Sequence, residues 1–293
     1  MTISRGELRY GESYVVVDAG VGDAAAGNAA AVVELDEFPP SADLLRLAQE
    51  LDAPTTAFIT ELPDSDPDAR AYAIRWFNRR SESRICGHAT LAATEWVTTS
   101  TRSPLVEWHS GIGVLKAGRL ANRVQVEFPQ TELQPLDDDS VQRIRALAGR
   151  DPAECFVAGD DHMAIFDSPA DVLKFSPDSR QVEALGCRGL IISAPCTGED
   201  APPERRDRFD IVSRFFAPSM ALPEDEVCVS AHCALYPYWS QRLQQKVLRA
   251  WQASPRGGVL ELAGSHEGTL TITASCVRVD QPANTPAETS HAP

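Results

Sequence analysis

The sequence predicts a mixed α/β (α+β) protein made of two similar halves that face one cleft. Three observations predict it. Strand-like segments rich in valine alternate with helical ones along the chain. A local pattern of strand, turn, Cys-x-(His or Ser)-Ala and helix occurs twice, at Cys86-Gly87-His88-Ala89 and at Cys228-Val229-Ser230-Ala231. The length, 293 residues, suits one large domain or two of about 150 residues. The two copies lie much further apart than solenoid repeats do, which points to duplicated domains. The expected division is 1–133, 134–280 and a polar, proline-containing tail at 281–293 that is expected to be disordered.

The elements follow in order. YVVVDAG reads as a buried strand ended by glycine, DAAAGN as a small-residue loop, and AAAVVEL as a second apolar segment. Pro39, Pro40 and Ser41 open a helix, SADLLRLAQEL, whose leucines recur at helical spacing. AFITEL and AYAIRWF read as strands, CGHATLAATEWV as a helix opening at Gly87, and GVLKA and RVQVEF as alternating strands. In the second half VQRIRALAG is helical, ECFVAG and MAIFD are strand-like, and DVLKFSPDSRQVEALG carries a helix-turn pattern. GLIISAP and RFDIVSRFFAP are strands. SAHCALYPYWSQRL is helical, with Pro237 expected to bend or interrupt it. VLELAG and TLTITASCVRV form a closing hairpin around GSHEG.

Composition excludes several classes of function. The net charge of −15 repels phosphate backbones and no run of Lys or Arg overrides it, so nucleic acid is not an expected partner. An anionic ligand would need local help from helix N-termini or from an arginine. The start of the chain has no basic stretch leading into an apolar one, and no segment approaches the ~20 apolar residues of a membrane span. The seven cysteines are odd in number and form no Cys-x-x-Cys pair, which suits reduced cytoplasmic thiols better than disulfides or a zinc site. AGVGDAAAGN does not form the G-x-G-x-x-G fingerprint, so no dinucleotide is expected.

The repeated motif suggests a chemistry. Removing a proton from a carbon beside a carboxylate creates a carbanion whose charge must be stabilised. Helix N-termini offer unpaired N–H groups and the positive end of a dipole, which hold a carboxylate. A cysteine placed there becomes a usable thiolate base. Cys86 and Cys228, one on each side of a substrate, would take a proton from one face and deliver one to the other, without metal or cofactor. The plain alternative for each is a small buried hydrophobe. His88 is an acid–base residue or a core histidine, Asp225 a site carboxylate or a solvated loop acid, and Ser230 a site hydroxyl or a helix cap. A metal cluster of Cys86, His88 and Cys228 is conceivable from the ligand types, but Cys-x-His is not a usual zinc spacing.

The segments VVVDAG…GNAAAVVEL, YAIRWFNRRSESRICGHATLAATEW, HSGIGVL, VEFPQ, FDIVSRFFAP, EDEVCVSAHCALYPYW and SPRGGVLEL together resemble the phenazine-biosynthesis (PhzF-like) isomerase family, within the diaminopimelate epimerase and proline racemase fold group. The resemblance spans residues 14 to 278. It implies two epimerase-like domains, each a β-barrel-like sheet around a central helix, with the active site in the cleft between them. It also implies proton transfer on a small acid, no metal, no nucleotide cofactor, and a homodimer as a fitting assembly.

The resemblance makes His88 a catalytic or substrate-contacting residue and places Asp225 and Ser230 at the family's acid and serine positions. It adds Asn28, Thr55, Gly87 and Val229 as substrate-binding positions. This chain departs from the pattern in informative ways. Thr55 stands where the phenazine enzyme has its acid–base glutamate, and threonine cannot act as a carboxylate base. Val229 replaces a glycine, which narrows the pocket or alters its N–H cradle, and Glu226 replaces a proline. Cys228 stands where most PhzF-like proteins have threonine and where the epimerases have their second catalytic cysteine, and Cys86 matches their first.

Three functions therefore stay open. One is a two-cysteine epimerase or racemase inverting the α-carbon of a small amino acid or amino-acid-derived acid. Another is a PhzF-type isomerase or cyclase acting through His88 and Asp225. The last is a non-catalytic homologue whose cleft binds a small molecule or a protein.

Overall fold

The computed structural model describes residues 14–279 apart from 23, 52, 64–68, 198 and 267, so the expected tail at 281–293 lies outside the described residues. The first run of elements is β1 (Tyr14–Ala19), β2 (Asn28–Glu34), α1 (Ser41–Glu50), β3 (Thr55–Glu61), β4 (Ala69–Asn78), β5 (Glu82–Ser83), α2 (Gly87–Ser100), β6 (Leu105–Ser110), β7 (Gly113–Leu120) and β8 (Arg123–Pro129). The second is β9 (Leu133–Pro135), α3 (Asp138–Ala148), β10 (Glu154–Ala158), β11 (Asp161–Ile165), α4 (Pro169–Lys174), α5 (Ser179–Glu183), β12 (Leu190–Pro195), β13 (Ile211–Ala217) and β14 (Leu222–Asp225). It continues with α6 (Val229–Leu243), β15 (Val247–Gln252), β16 (Gly258–Gly264), β17 (Thr269–Ala274) and β18 (Cys276–Val279).

The two runs have the same topology. In the first, β1-β2-β3-β4-β6-β7-β8 pair in that order, with β2–β3 and β4–β6 parallel and the rest antiparallel. In the second, β10-β11-β12-β13-β15-β16-β17 repeat the order, with β11–β12 and β13–β15 parallel. The short strands β5 and β14 attach to β4 and β13. Each set thus leads from its short strand into its long helix, α2 or α6.

The sets are joined by β8 and β17, which pair antiparallel. The chain ends also cross. β9 pairs with β10, while β18 leaves the second run and pairs with β1. The division drawn at residue 133 falls inside β9, and TLTITASCVRV is two strands, not one. Its break at Ser275 has a local cause: the Ser275 carbonyl accepts the N–H groups of both Gly20 and Val21, at 3.0 and 3.1 Å.

The first sheet curls around α2, which touches β1, β2, β3, β6, β7, β8 and β18. A helix enclosed on most sides needs small or apolar residues all round, and α2 supplies Ala89, Leu91, Ala92, Ala93 and Val97, all fully buried. Its threonines are tolerated because Thr90, Thr94 and Thr98 each return their hydroxyl to the carbonyl four residues back, at 2.7–2.8 Å. One apolar core runs from α2 through α6, including Leu235 and Trp239.

Of the bend or interruption expected at Pro237, the interruption does not occur: α6 runs through it. The proline has no N–H for the Cys233 carbonyl, and the Thr131 N–H donates to that carbonyl instead at 3.0 Å. A neighbouring strand end satisfies the acceptor that the helix leaves open.

Candidate active site

Cys86 and Cys228 are the N-cap residues of α2 and α6, both in extended conformation, and neither side chain caps its own helix. Their carbonyls are pinned alike. The Cys86 carbonyl accepts the Thr90 N–H at 3.0 Å and the Thr90 hydroxyl at 2.8 Å. The Cys228 carbonyl accepts the His232 N–H at 3.4 Å and His232 Nδ1–H at 2.7 Å. The residue four positions after each cysteine thus holds it from backbone and side chain. The first-turn N–H groups of both helices lie at the same place.

The two helices meet at their starts. A Cβ on Gly87 would fall 2.2 Å from Val229 Cγ1, so the valine side chain rests directly on the glycine backbone. Val229 therefore fills space between the two N-termini. One cavity of about 60 Å³ is lined by Asn28, Thr55, Cys86, Gly87, His88, Asp225, Cys228, Val229 and Ser230 together. All nine residues singled out from the sequence meet there, although Asn28 and Ser230 lie in different halves of the chain.

Asn28 Nδ2 lies 2.7 Å from Asp225 Oδ1, 3.3 Å from the Val227 carbonyl and 3.4 Å from His88 Nδ1. His88 Nδ1 also lies 3.5 Å from Cys86 Sγ, within hydrogen-bond reach of the sulfur. Burial opposes charge on His88, but the adjacent Cys86 and Asp225 outweigh it and push its pKa up to about 9. Below that pH the ring is an imidazolium beside the Cys86 sulfur.

The second thiol sits differently. Burial pushes the Cys228 pKa well up and Asp225 adds to this, while Arg188 and Ser230 pull the other way. Ser230 Oγ is 3.3 Å from Cys228 Sγ and accepts from Arg188 Nη2 at 3.0 Å. Arg188 is itself paired with buried Asp161, with its Nε 2.8 Å from Oδ1 and its Nη2 on Oδ2. Gln252 braces the turn before α6, accepting the Cys228 N–H at 2.7 Å and donating to the Asp225 carbonyl at 2.6 Å.

Asn28 is delivered by a turn that only glycine fits. Gly27 has φ +75°, and a Cβ there would lie 2.6 Å from the Ala19 carbonyl oxygen. Arg256 closes over it, donating Nε to the Gly27 carbonyl and Nη2 to Asp18, each at 2.7 Å.

With the geometry in place, comparison with known proteins is informative. Residues 17–280 match the family model described as phenazine biosynthesis-like protein. The chain belongs to this family. An uncharacterized isomerase of Pseudomonas aeruginosa is 34 % identical over 236 residues, 80 % of this chain and 84 % of its own length. The human phenazine biosynthesis-like domain-containing protein is 31 % identical over 272 residues, 88 % of this chain and 93 % of its own. A PhzF-family phenazine biosynthesis protein from Enterococcus faecalis superposes with a TM-score of 0.75 at 32 % identity, covering 91 % of this chain and 96 % of that one. A hydroxyproline epimerase from Agrobacterium vitis, 11 % identical with a TM-score of 0.56 and covering 92 % and 90 %, shares the fold.

Within this phenazine biosynthesis-like site, Arg188, Asp161, Asn78 and Gln252 escaped the sequence reading. The net charge suggested that an anionic ligand would need helix N-termini or an arginine, but not which arginine lies at the site: Arg188 is 42 residues from the serine it touches. Among the described residues, no group of three or more His, Cys, Asp and Glu side chains is placed to hold a metal ion, and no helix is long and apolar enough to cross a membrane.

Proposed function

We propose that the protein is an isomerase that inverts the α-carbon of a small amino acid or amino-acid-derived acid, using Cys86 and Cys228 as opposed base and acid. The observation that carries this is the convergence of two N-cap cysteines, each on a buried central helix, on one cavity. The names of its relatives and the epimerase-like fold support the same class of reaction.

The substrate carboxylate sits on the first-turn N–H groups of α2 and α6, where the helix dipoles favour negative charge. Cys86, with the His88 imidazolium as its counter-ion, acts as thiolate and takes the α-proton. The C–H electron pair moves into the carboxylate, and the N–H groups stabilise the added charge. Cys228, kept protonated by burial, gives its S–H proton to the opposite face. The product is the inverted acid, with a Cys86 thiol and a Cys228 thiolate, and the reverse reaction restores the start. Asp225, fixed by Asn28, and Ser230, fixed by Arg188, orient the amine or hydroxyl on the α-carbon.

The experiment is incubation in deuterated water with a panel of amino and hydroxy acids, following mass and handedness together. Deuterium entering the α-carbon with loss of handedness, dependent on both cysteines, is the expected result. If Cys86→Ala and Cys228→Ala still invert while His88→Ala and Asp225→Asn fail, the thiols are bystanders and proton transfer runs through the histidine and the acid.

A further inference from the structure

The cavity around the two thiols, about 60 Å³, is far below the ~300–1,000 Å³ of a complete small-molecule site, so it takes part of a substrate and not the whole. It shares Asn78, Ser83, Ile85, Arg188, Met220 and Ser230 with a neighbouring cleft of about 550 Å³. The rest of a substrate extends there, so the charge of that cleft bears on substrate class.

Three cations, Arg80, Arg84 and Arg188, and three acids, Glu82, Asp160 and Asp161, line the cleft. Three of these are engaged. Asp161 and Arg188 hold each other, and Glu82 accepts Arg75 through both oxygens at 2.8 and 2.6 Å. That leaves Arg80 and Arg84 against Asp160. Neither guanidinium has a hydrogen-bond or ion-pair partner among the described residues. Two unpaired cations at the mouth of the site stand out on a chain of net charge −15.

Their backbone is held in place. Asn78 Oδ1 accepts the N–H groups of Arg80 and Ser81 at 2.7 and 2.9 Å, and the Asn78 N–H donates to the Ser81 carbonyl at 3.0 Å. β5 then pairs back onto β4, and Arg84 follows two residues before Cys86. A braced turn presenting two planar forks is suited to a carboxylate or phosphate, which arginine binds bidentately.

We propose that Arg80 and Arg84 bind a second anionic group on the substrate, which is therefore a small acid carrying a carboxylate or phosphate at its far end. This rests on the two-thiol reading for the orientation of the substrate, with its α-carbon between the cysteines.

The test is calorimetric titration of the full-length protein with matched acids: alanine against aspartate, norvaline against glutamate, and serine against O-phosphoserine. At least tenfold tighter binding of the member with the second anionic group in one pair is expected, and Arg80→Ala/Arg84→Ala should erase that difference. Arg80→Lys/Arg84→Lys should keep part of it. Glutamate or aspartate leading identifies a carboxylate, and phosphoserine leading identifies a phosphate. Both arginines are exposed, and a thermal melt verifies that the variants fold. Equal binding within every pair, or a preference that survives the double alanine variant, overturns the proposal. Arginine-dependent binding of the acids with a second anionic group, without α-proton exchange, would leave it standing and remove the two-thiol mechanism. Exchange confined to the acids without that group would do the reverse.

Discussion

The two cysteine half-sites are built on one plan and given different neighbours. Each cysteine ends a loop, stands at the N-cap position of a buried helix, and has its carbonyl held by the residue four positions later. The residue two positions on touches the sulfur in both, but it is His88 in one and Ser230 in the other. The histidine sets a positive charge beside Cys86. The serine offers Cys228 only a neutral hydroxyl, with Arg188 behind it, and burial prevails there. A two-base inversion needs one thiolate and one thiol at any moment. In the proposed inversion the two opposed cysteines come from matching places in the two runs of strands, and the residue two positions on gives them different neighbours.

The largest expected effect comes from breaking either half. Cys86→Ala and Cys228→Ala should each reduce inversion by about 10²–10⁴-fold, the usual contribution of a positioned acid or base. The halves should nevertheless leave different residues of activity. Cys228→Ala keeps Cys86, so it should still exchange the α-hydrogen of the epimer facing Cys86, with handedness retained. Mass and chirality measured on the same sample test this. Inversion at the wild-type rate in either variant would end the comparison.

Next in size is the effect of pH on stability, where two buried histidines have opposite signs. The pKa of His88 is raised to about 9, so its contribution is complete below its ordinary value of 6.5 and is lost as pH climbs through 9. For His232, burial depresses the pKa to about 4, so its contribution is complete above 6.5 and is lost as pH falls through 4. Each is worth roughly 3 kcal/mol by linkage. Urea midpoints measured from pH 4 to pH 9.5 should form a dome centred near the ordinary histidine value. His88→Gln should flatten only the alkaline limb, and His232→Gln only the acid limb. A variant that moves the wrong limb would show the assignment to be mistaken.

A smaller effect tests the contact between the half-sites. Gly87 and Val229 hold equivalent positions, one without a Cβ and one with a branched side chain seated on it. Gly87→Ala should destabilise by about 1–3 kcal/mol, the usual cost of overpacking. Val229→Gly should rescue it. Val229→Ala should not, because Val229 Cβ itself would lie 2.3 Å from the new Cβ. Denaturant titration of the three variants and the two doubles separates these outcomes.

What could be read from sequence and what could not divides along contact distance. Both cysteine-led helices were legible because strand, turn, cap and helix are local, and because the motif occurs twice. Asn28 beside Asp225 was suggested by resemblance alone, since 197 residues separate them and no periodicity connects them. Arg188 was invisible: a single arginine before a buried strand looks like any other. The strands LVEWHS and VLRAWQ went unread because short, half-polar segments carry little pattern. The crossing of β18 onto β1 depends on two N–H groups that Ser275 happens to accept, and the continuity of α6 depends on a donor from residue 131. Tertiary partners decided each of these.

The smallest expected effect concerns how the cysteines are held. Thr90 and His232 do the same task with different chemistry. Removing the Thr90 hydroxyl leaves the Cys86 carbonyl its backbone donor at 3.0 Å, so Thr90→Val should cost about 0.5–1.5 kcal/mol, the net worth of one ordinary hydrogen bond. Thr90→Ser restores the hydroxyl and should recover most of that. The same deletion at His232 is not equivalent. The backbone donor to the Cys228 carbonyl is longer, 3.4 Å, and Ser213 Oγ, 3.2 Å from His232 Nε2, would lose its partner in a buried setting. Thermal melts should therefore rank Thr90→Val above His232→Ala. Equal losses would mean that the two carbonyls are held by backbone alone, and that the four-residue spacing after each cysteine reflects only the shared helix.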